Sequence, residues 1–192
     1  MLELDISTIE KNWKTYEKLV AKLSDKNVDK MIDELGERIC LAPASTHTDR
    51  PGCYQGGLVQ NALLVTSYMR KLNDAYELDI PIQSVIKVGL FHDIGRIGDL
   101  EDNLLIAQDS KWHREKLGQM YKYNEEVEKM SISHRSLWIL QTFNVGLDRP
   151  EWVSIQISQG SHFEENRFYV GSTPDLGLIT QHARSIVSHK SQ

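Results

Sequence analysis

An apolar run, Val88-Gly89-Leu90-Phe91, delivers an adjacent His92-Asp93 pair and is followed by Ile94-Gly95-Arg96-Ile97-Gly98-Asp99. Burying an imidazole beside a carboxylate is costly unless each finds a partner, and a divalent metal ion suits both. Ile86, Leu90 and Phe91 fall at spacings that anchor a helix in a core. Gly95 predicts the stop of that helix, which leaves His92 and Asp93 at its carboxyl end. Neighbours on a helix point about 100° apart, near enough for both to reach one small ion.

A chain of 192 residues is the size of one domain, able to bury about 70% of its unfolded surface without staples. Its net charge of -5 argues against a broad electrostatic hold on long nucleic acid, yet leaves room for a local basic pocket reading one phosphate. Cys40 and Cys53 show no CxxC spacing, no secretory leader is evident, and no apolar run approaches roughly 18 residues. The expectation is a reduced, cytoplasmic protein, host cytoplasm included, with no membrane partner.

Helical periodicity organises most of the chain. Ser7-Thr8-Ile9-Glu10 has capping-box spacing, and Ile9, Trp13, Tyr16, Val20 and Leu23 recur at helical steps. A second helix sets Val28, Met31, Ile32, Leu35 and Ile39 on one face and ends near Cys40, read as a small core residue. From Pro43 to Gly57 the composition is that of a loop of about fifteen residues, long enough to line a site. Its polar candidates are His47, Asp49, Arg50 and Tyr54, each a ligand contact or part of a solvated connector. Leu58, Ala62, Val65, Met69 and Leu72 mark the next helix, with Asn61 beside the stripe, and Pro81, in the first-turn position, opens the helix that carries the His-Asp pair.

Ser110 caps a helix whose apolar side is Trp112, Leu117, Met120 and Tyr121. His113 and His134 lack ligand spacing and read as interhelical hydrogen-bonders. Residues Ser133 to Phe143 read as a central helix packed on several sides. Asp148, Pro150 and Glu151 open another, with Trp152, Ile155, Gln156 and Gln159 at three- and four-residue steps before Gly160. His162, Glu164, Glu165, Asn166, Arg167 and Tyr169 crowd a loop that is a rim for a polar ligand or merely a charged, solvated turn. Thr173-Pro174-Asp175 starts the last helix, with Leu176, Ile179, Ala183, Ile186 and Val187. Asp99 is the best placed of three acidic residues beyond Gly98 to reach the site.

Ala42-Pro43-Ala44-Ser45, then Tyr54-Gln55-Gly56-Gly57-Leu58-Val59-Gln60-Asn61-Ala62-Leu63, then the His-Asp pair about thirty residues on, resembles the HD-domain metal-dependent phosphohydrolase superfamily. The later Ser110-Lys111-Trp112-His113-Arg114, Tyr123-Asn124 and Arg135-Ser136-Leu137 are most similar to its phage members. The resemblance spans roughly residues 35 to 188. It implies an all-α fold, a single HD-domain-like helical bundle in which residues 1–34 supply amino-terminal helices packing on a core of 35–192, the whole forming one compact unit.

The resemblance further implies a divalent ion (manganese, magnesium, cobalt, zinc or iron) held by His92 and Asp93. Asn61 is a weak third ligand, and His47 or His182 a further helper. Arg96 falls where the family carries Lys or Arg, where a fixed fork of donors suits phosphate oxygens. His47, Arg50, Tyr54, Asp99, His162, Asn166 and Arg167 are the expected substrate contacts. Three departures bear on this. Asn61 stands where the family has a histidine, Pro51 where a second histidine often precedes the Tyr-x-Gly-Gly, and His182-Ala183-Arg184 replaces a His-Ala-Asp. An amide oxygen is a weak ligand and a guanidinium is none.

Two functions follow. One is a hydrolase of a nucleotide or other small phosphate ester, its metal activating water. The other is an inactive HD fold in which Arg184 pairs with Asp93 in place of the ion, serving as a nucleotide- or protein-binding module. A homo-oligomer and a host protein partner both remain open.

Overall fold

The computed structural model describes residues 4–190. The first helix, α1 (Ile6–Val20), is followed by a 3-10 turn and by α2 (Lys26–Leu41). Asp5, two residues before the Ser7 of the expected capping box, caps α1 by accepting from Thr8 N–H, and Ser7 spends its own hydroxyl on Asp5 Oδ1. Asp25 caps α2. α2 is continuous, so a division at residues 34/35 falls inside one helix.

α3 (Gly57–Tyr76) is the spine, packing against α1 and α2, against α4 (Ile82–Phe91) and against the last helix, α8 (Asp175–Lys190). Gly89 permits the α3–α4 approach, since a Cβ there would meet Thr66 Oγ1 at 2.4 Å. Pro81 sits at the N-cap of α4, one position before the first turn, and has no N–H to leave unpaired. α6 (Ile132–Thr142) and α7 (Arg149–Gln156) complete the bundle, the latter opened by a capping box of Asp148 and Glu151.

One hydrophobic core runs through these helices, from Tyr16 and Val20 in α1 to Ile179, Ala183 and Val187 in α8. Met31, Phe91, Ile139, Leu140 and Ile155 are wholly buried in it, each worth about 1.5–3 kcal/mol of apolar burial. Trp13 stacks on Tyr16 at 5.4 Å, and Tyr16 meets the edge of Phe91 at 6.5 Å. Trp138 and Trp152 turn outward, at 37% and 41% exposure, so the apolar stretches holding them are not core throughout.

The chain is predominantly helical, consistent with the all-α expectation, but it carries a short hairpin that periodicity did not anticipate. β1 (Leu105–Ala107) pairs antiparallel with β2 (Tyr121–Tyr123), enclosing α5 (Lys111–Leu117). Tyr121 therefore lies in a strand rather than on a helix, and no residue of α5 is buried. Ser110 caps α5 as its sequence suggests.

The helix carrying the doublet ends earlier than glycine punctuation implies. α4 stops at Phe91, His92 is its C-cap, and Gly95 lies inside a 3-10 turn spanning Ile94–Ile97. Gly95 answers a packing demand instead. A Cβ there would fall 2.5 Å from the Ile132 carbonyl oxygen and 2.8 Å from Ser136 N, where α6 presses on the turn. The Ser136 hydroxyl accepts from Gly95 N–H at 2.9 Å and lies 3.1 Å from the His92 carbonyl oxygen. Arg38 secures the following loop, donating to the carbonyls of Ile97, Asp99 and Asp102.

Cys40 and Cys53 are free thiols. Burial pushes both above their ordinary value, the behaviour of packing residues rather than nucleophiles. Among the described residues no helix is long and apolar enough to cross a membrane.

Candidate functional site

Five segments of the chain meet around one cavity of about 640 Å³. The loop after α2 contributes Ser45, Thr46, Asp49 and Arg50. Asn61 and Val65 come from α3, and the end of α4 brings His92, Asp93 and Arg96. Ser158 and Gln159 follow α7, while Gln181 and Arg184 project from α8.

His92 is 2% exposed. Its Nδ1 lies 3.0 Å from the Gly89 carbonyl oxygen and 3.2 Å from that of Val88. Carbonyls only accept, so Nδ1 carries the proton and Nε2 is left as the acceptor. Burial pushes the imidazole down to about 4 against the pull of the Asp93 carboxylate, and the Arg184 charge deepens the shift. His92 is neutral at neutral pH.

Asp93 is surrounded by donors. Arg96 Nε donates to Oδ2 at 2.7 Å, Gln159 Nε2 donates to Oδ1, and Arg184 Nη2 stands 3.6 Å from Oδ2. Burial alone would raise this carboxyl, but the guanidinium groups of Arg184 and Arg96 hold it well below the usual carboxylate range. Arg184 is fixed in turn, donating through Nη1 to the Ser158 carbonyl and through Nη2 to Gln159 Oε1 at 3.3 Å. Gln159 thus accepts from the arginine and donates to the aspartate, which sets the orientation of its amide.

This donor set does not fit a divalent ion. Both oxygens of the doublet carboxylate are engaged, and a cation already lies beside it. Asn61 turns its Nδ2 towards the Pro51 carbonyl oxygen at 3.4 Å. Among the described residues no group of three or more His, Cys, Asp or Glu side chains is placed to hold a metal. A second cation would face two guanidinium charges before it met a free ligand.

The expected contacts divide into two sets. Arg50, Asn61, His92, Asp93, Arg96 and His162 all line the cavity. The others are committed elsewhere. His47 bonds Thr46 Oγ1 at 2.7 Å and bridges to Gln119 through its backbone. Tyr54 donates to Gln60 Oε1 at 2.9 Å. Asp99 accepts from the backbone N–H groups of Glu101 and Asp102, capping its own turn. Asn166, 1% exposed, ties Gln156 to the Gly160 carbonyl and so belongs to the scaffold rather than the rim. Arg167 forms an exposed pair with Glu164 at 3.8 Å, and His182 points to solvent from α8. Gln159, Gln181, Ser158 and Thr46 enter the site without any motif to announce them. Gln159 alone left a trace, as the last of the residues at three- and four-residue steps before Gly160.

Three arginines (Arg50, Arg96 and Arg184) face two aspartates (Asp49 and Asp93) on the cavity wall, leaving one positive charge in surplus. Arg96 is tied to Asp93 only through Nε, and its two terminal nitrogens have no hydrogen-bond partner among the described residues. No protein-family model, curated protein or solved structure matches the chain.

Proposed function

We propose that the chain is an HD-like helical protein that binds a small phosphate-bearing ligand without hydrolysing it, Arg184 standing where a hydrolase of that type would carry its metal. The approach of Arg184 to Asp93 carries this reading. The loop, the helix after Gly56-Gly57 and the His-Asp pair converge on one cavity in the arrangement that the resemblance implies, which supports the ancestry. The charge there is supplied by the protein itself, which supports binding over metal chemistry.

Asp93 holds Arg96 by Nε and so presets the direction of the rest of the guanidinium. A fork fixed before the ligand arrives loses little side-chain entropy on binding. Arg50 adds a second positive charge from the loop, and neutral His92 offers Nε2 as an acceptor.

Calorimetric titration with manganese, cobalt and zinc, run beside a turnover assay on nucleotides and phosphate monoesters, tests the proposal. The expected result is no metal-dependent turnover, together with binding of inorganic phosphate that Arg96→Met weakens at least about tenfold. Metal-dependent hydrolysis of any of these esters by the unaltered protein would overturn it.

A further inference from the structure

The wall of the cavity carries two kinds of hydrogen-bonding group. The cationic donors are one kind, with the open end of Arg96 foremost. The other kind is left as acceptors. His92 Nε2 is unprotonated because Nδ1 serves the carbonyls of Val88 and Gly89. Asn61 uses only its Nδ2 within the protein, which leaves Oδ1 unengaged. The Asp49 carboxylate lies on the exposed loop. A bare anion satisfies the donors and leaves these acceptors wanting.

Aromatic surface is scarce. Among the described residues Tyr123 brings the only six-membered aromatic ring to the wall, and it is 62% exposed. A nucleobase would gain little by stacking here, and its apolar faces would have to reach past Tyr123 and Gln159 into the adjoining cavity walled by Leu104, Val127 and Phe163. The surplus of a single positive charge matches one phosphate better than a chain of them.

Resting on the proposal that this cavity binds a phosphate-bearing ligand, we infer that the ligand is a hydroxyl-rich phosphate monoester of the sugar-phosphate class: its phosphate sits on the Arg96 fork and its hydroxyls donate to Asn61 Oδ1, His92 Nε2 and Asp49. The cavity, at about 640 Å³, has room for more than the phosphate group alone. Selection comes from the acceptors, since an analogue without hydroxyls leaves them unpaired.

Binding of inorganic phosphate, ribose 5-phosphate and AMP to the full chain, each measured by calorimetry, tests the inference. Ribose 5-phosphate is expected to bind at least about tenfold more tightly than inorganic phosphate, and AMP no more tightly than ribose 5-phosphate. Asn61→Ala is expected to weaken ribose 5-phosphate by about five- to tenfold and to leave inorganic phosphate unchanged, which also reports that the variant is folded; Asp49→Asn, whose lost charge acts on both phosphates alike, is expected to lower the ratio of the two affinities by a similar factor. Equal affinities for ribose 5-phosphate and inorganic phosphate would overturn the inference, as would AMP binding tenfold above ribose 5-phosphate or variants that lose both ligands alike. Each of those outcomes leaves phosphate binding at the cavity intact. Failure of inorganic phosphate, ribose 5-phosphate and AMP alike to bind would remove the underlying proposal as well.

Discussion

Arg184 brings its guanidinium Nη2 to 3.6 Å from Asp93 Oδ2, so a buried carboxylate in the middle of the chain is answered by a cation from its last helix. Removing the carboxylate strands two guanidinium groups, and Asp93→Ala is expected to cost about 3–5 kcal/mol in chemical denaturation. Arg184→Met should cost less, because Arg96 still holds the carboxylate. Equal losses for the two variants would show that the pair is not organised this way.

Metal affinity should rise when two of the three departures are reversed. The double variant Asn61→His, Arg184→Asp removes one of the two guanidinium groups beside Asp93 and adds two ligands near His92 and Asp93. Cobalt binding, read by calorimetry and by the visible spectrum, is expected to rise at least about tenfold over the unaltered protein. No gain would mean that these side chains do not share a centre.

Acid should weaken the fold in a window set by His92. Its pKa is pushed down to about 4 when folded, against about 6.5 for a solvated histidine. Between those values the unfolded chain binds a proton that the folded one refuses, so stability falls as pH falls, by up to about 3 kcal/mol. Asp93, held below the usual carboxylate range, contributes stability above about pH 4 and loses it at lower pH as the folded carboxyl titrates. Thermal melts from pH 7 to 4 should slope downward for the unaltered protein and flatten for His92→Gln.

Tyr16 is 1% exposed and its hydroxyl has no hydrogen-bond partner among the described residues. A buried, unpaired hydroxyl is a liability of about 1 kcal/mol or more. Tyr16→Phe keeps the ring that packs on Trp13 and Phe91 and is expected to stabilise the protein by about 1 kcal/mol. A lower denaturation midpoint would reveal a partner for that oxygen.

Gly95→Ala places a methyl group against the Ile132 carbonyl and is expected to destabilise by about 1–3 kcal/mol through overpacking. Ligand affinity should drop with it, because the same turn carries Asp93 and Arg96. A neutral melt for this variant would show that α6 can yield.

The helices were legible because their apolar stripes are long. Leu58, Ala62, Val65 and Met69 repeat often enough to outweigh any single residue. Leu105-Ile106-Ala107 and Tyr121-Lys122-Tyr123 are too short for a two-residue period to register, so the hairpin went unread. At the site, the adjacency of His92 and Asp93 could be read from the chain, since it follows from sequence neighbours. Tyr54, Asn166 and Arg167 could not be placed, because loop composition gives the kind of side chain and not its direction. Gly95 was misjudged for a related reason. A glycine demanded by a neighbouring helix looks in sequence like one demanded by a turn.

The ring contacts from Trp13 through Tyr16 to Phe91 end one residue before His92. Phe91 is wholly buried, and α1 supplies part of what buries it. A chain shortened to begin at Lys26 would uncover the side of Phe91 that Tyr16 packs against and loosen the end of α4 from which His92 and Asp93 follow. The first helix works as a keystone for a cavity to which it contributes no side chain.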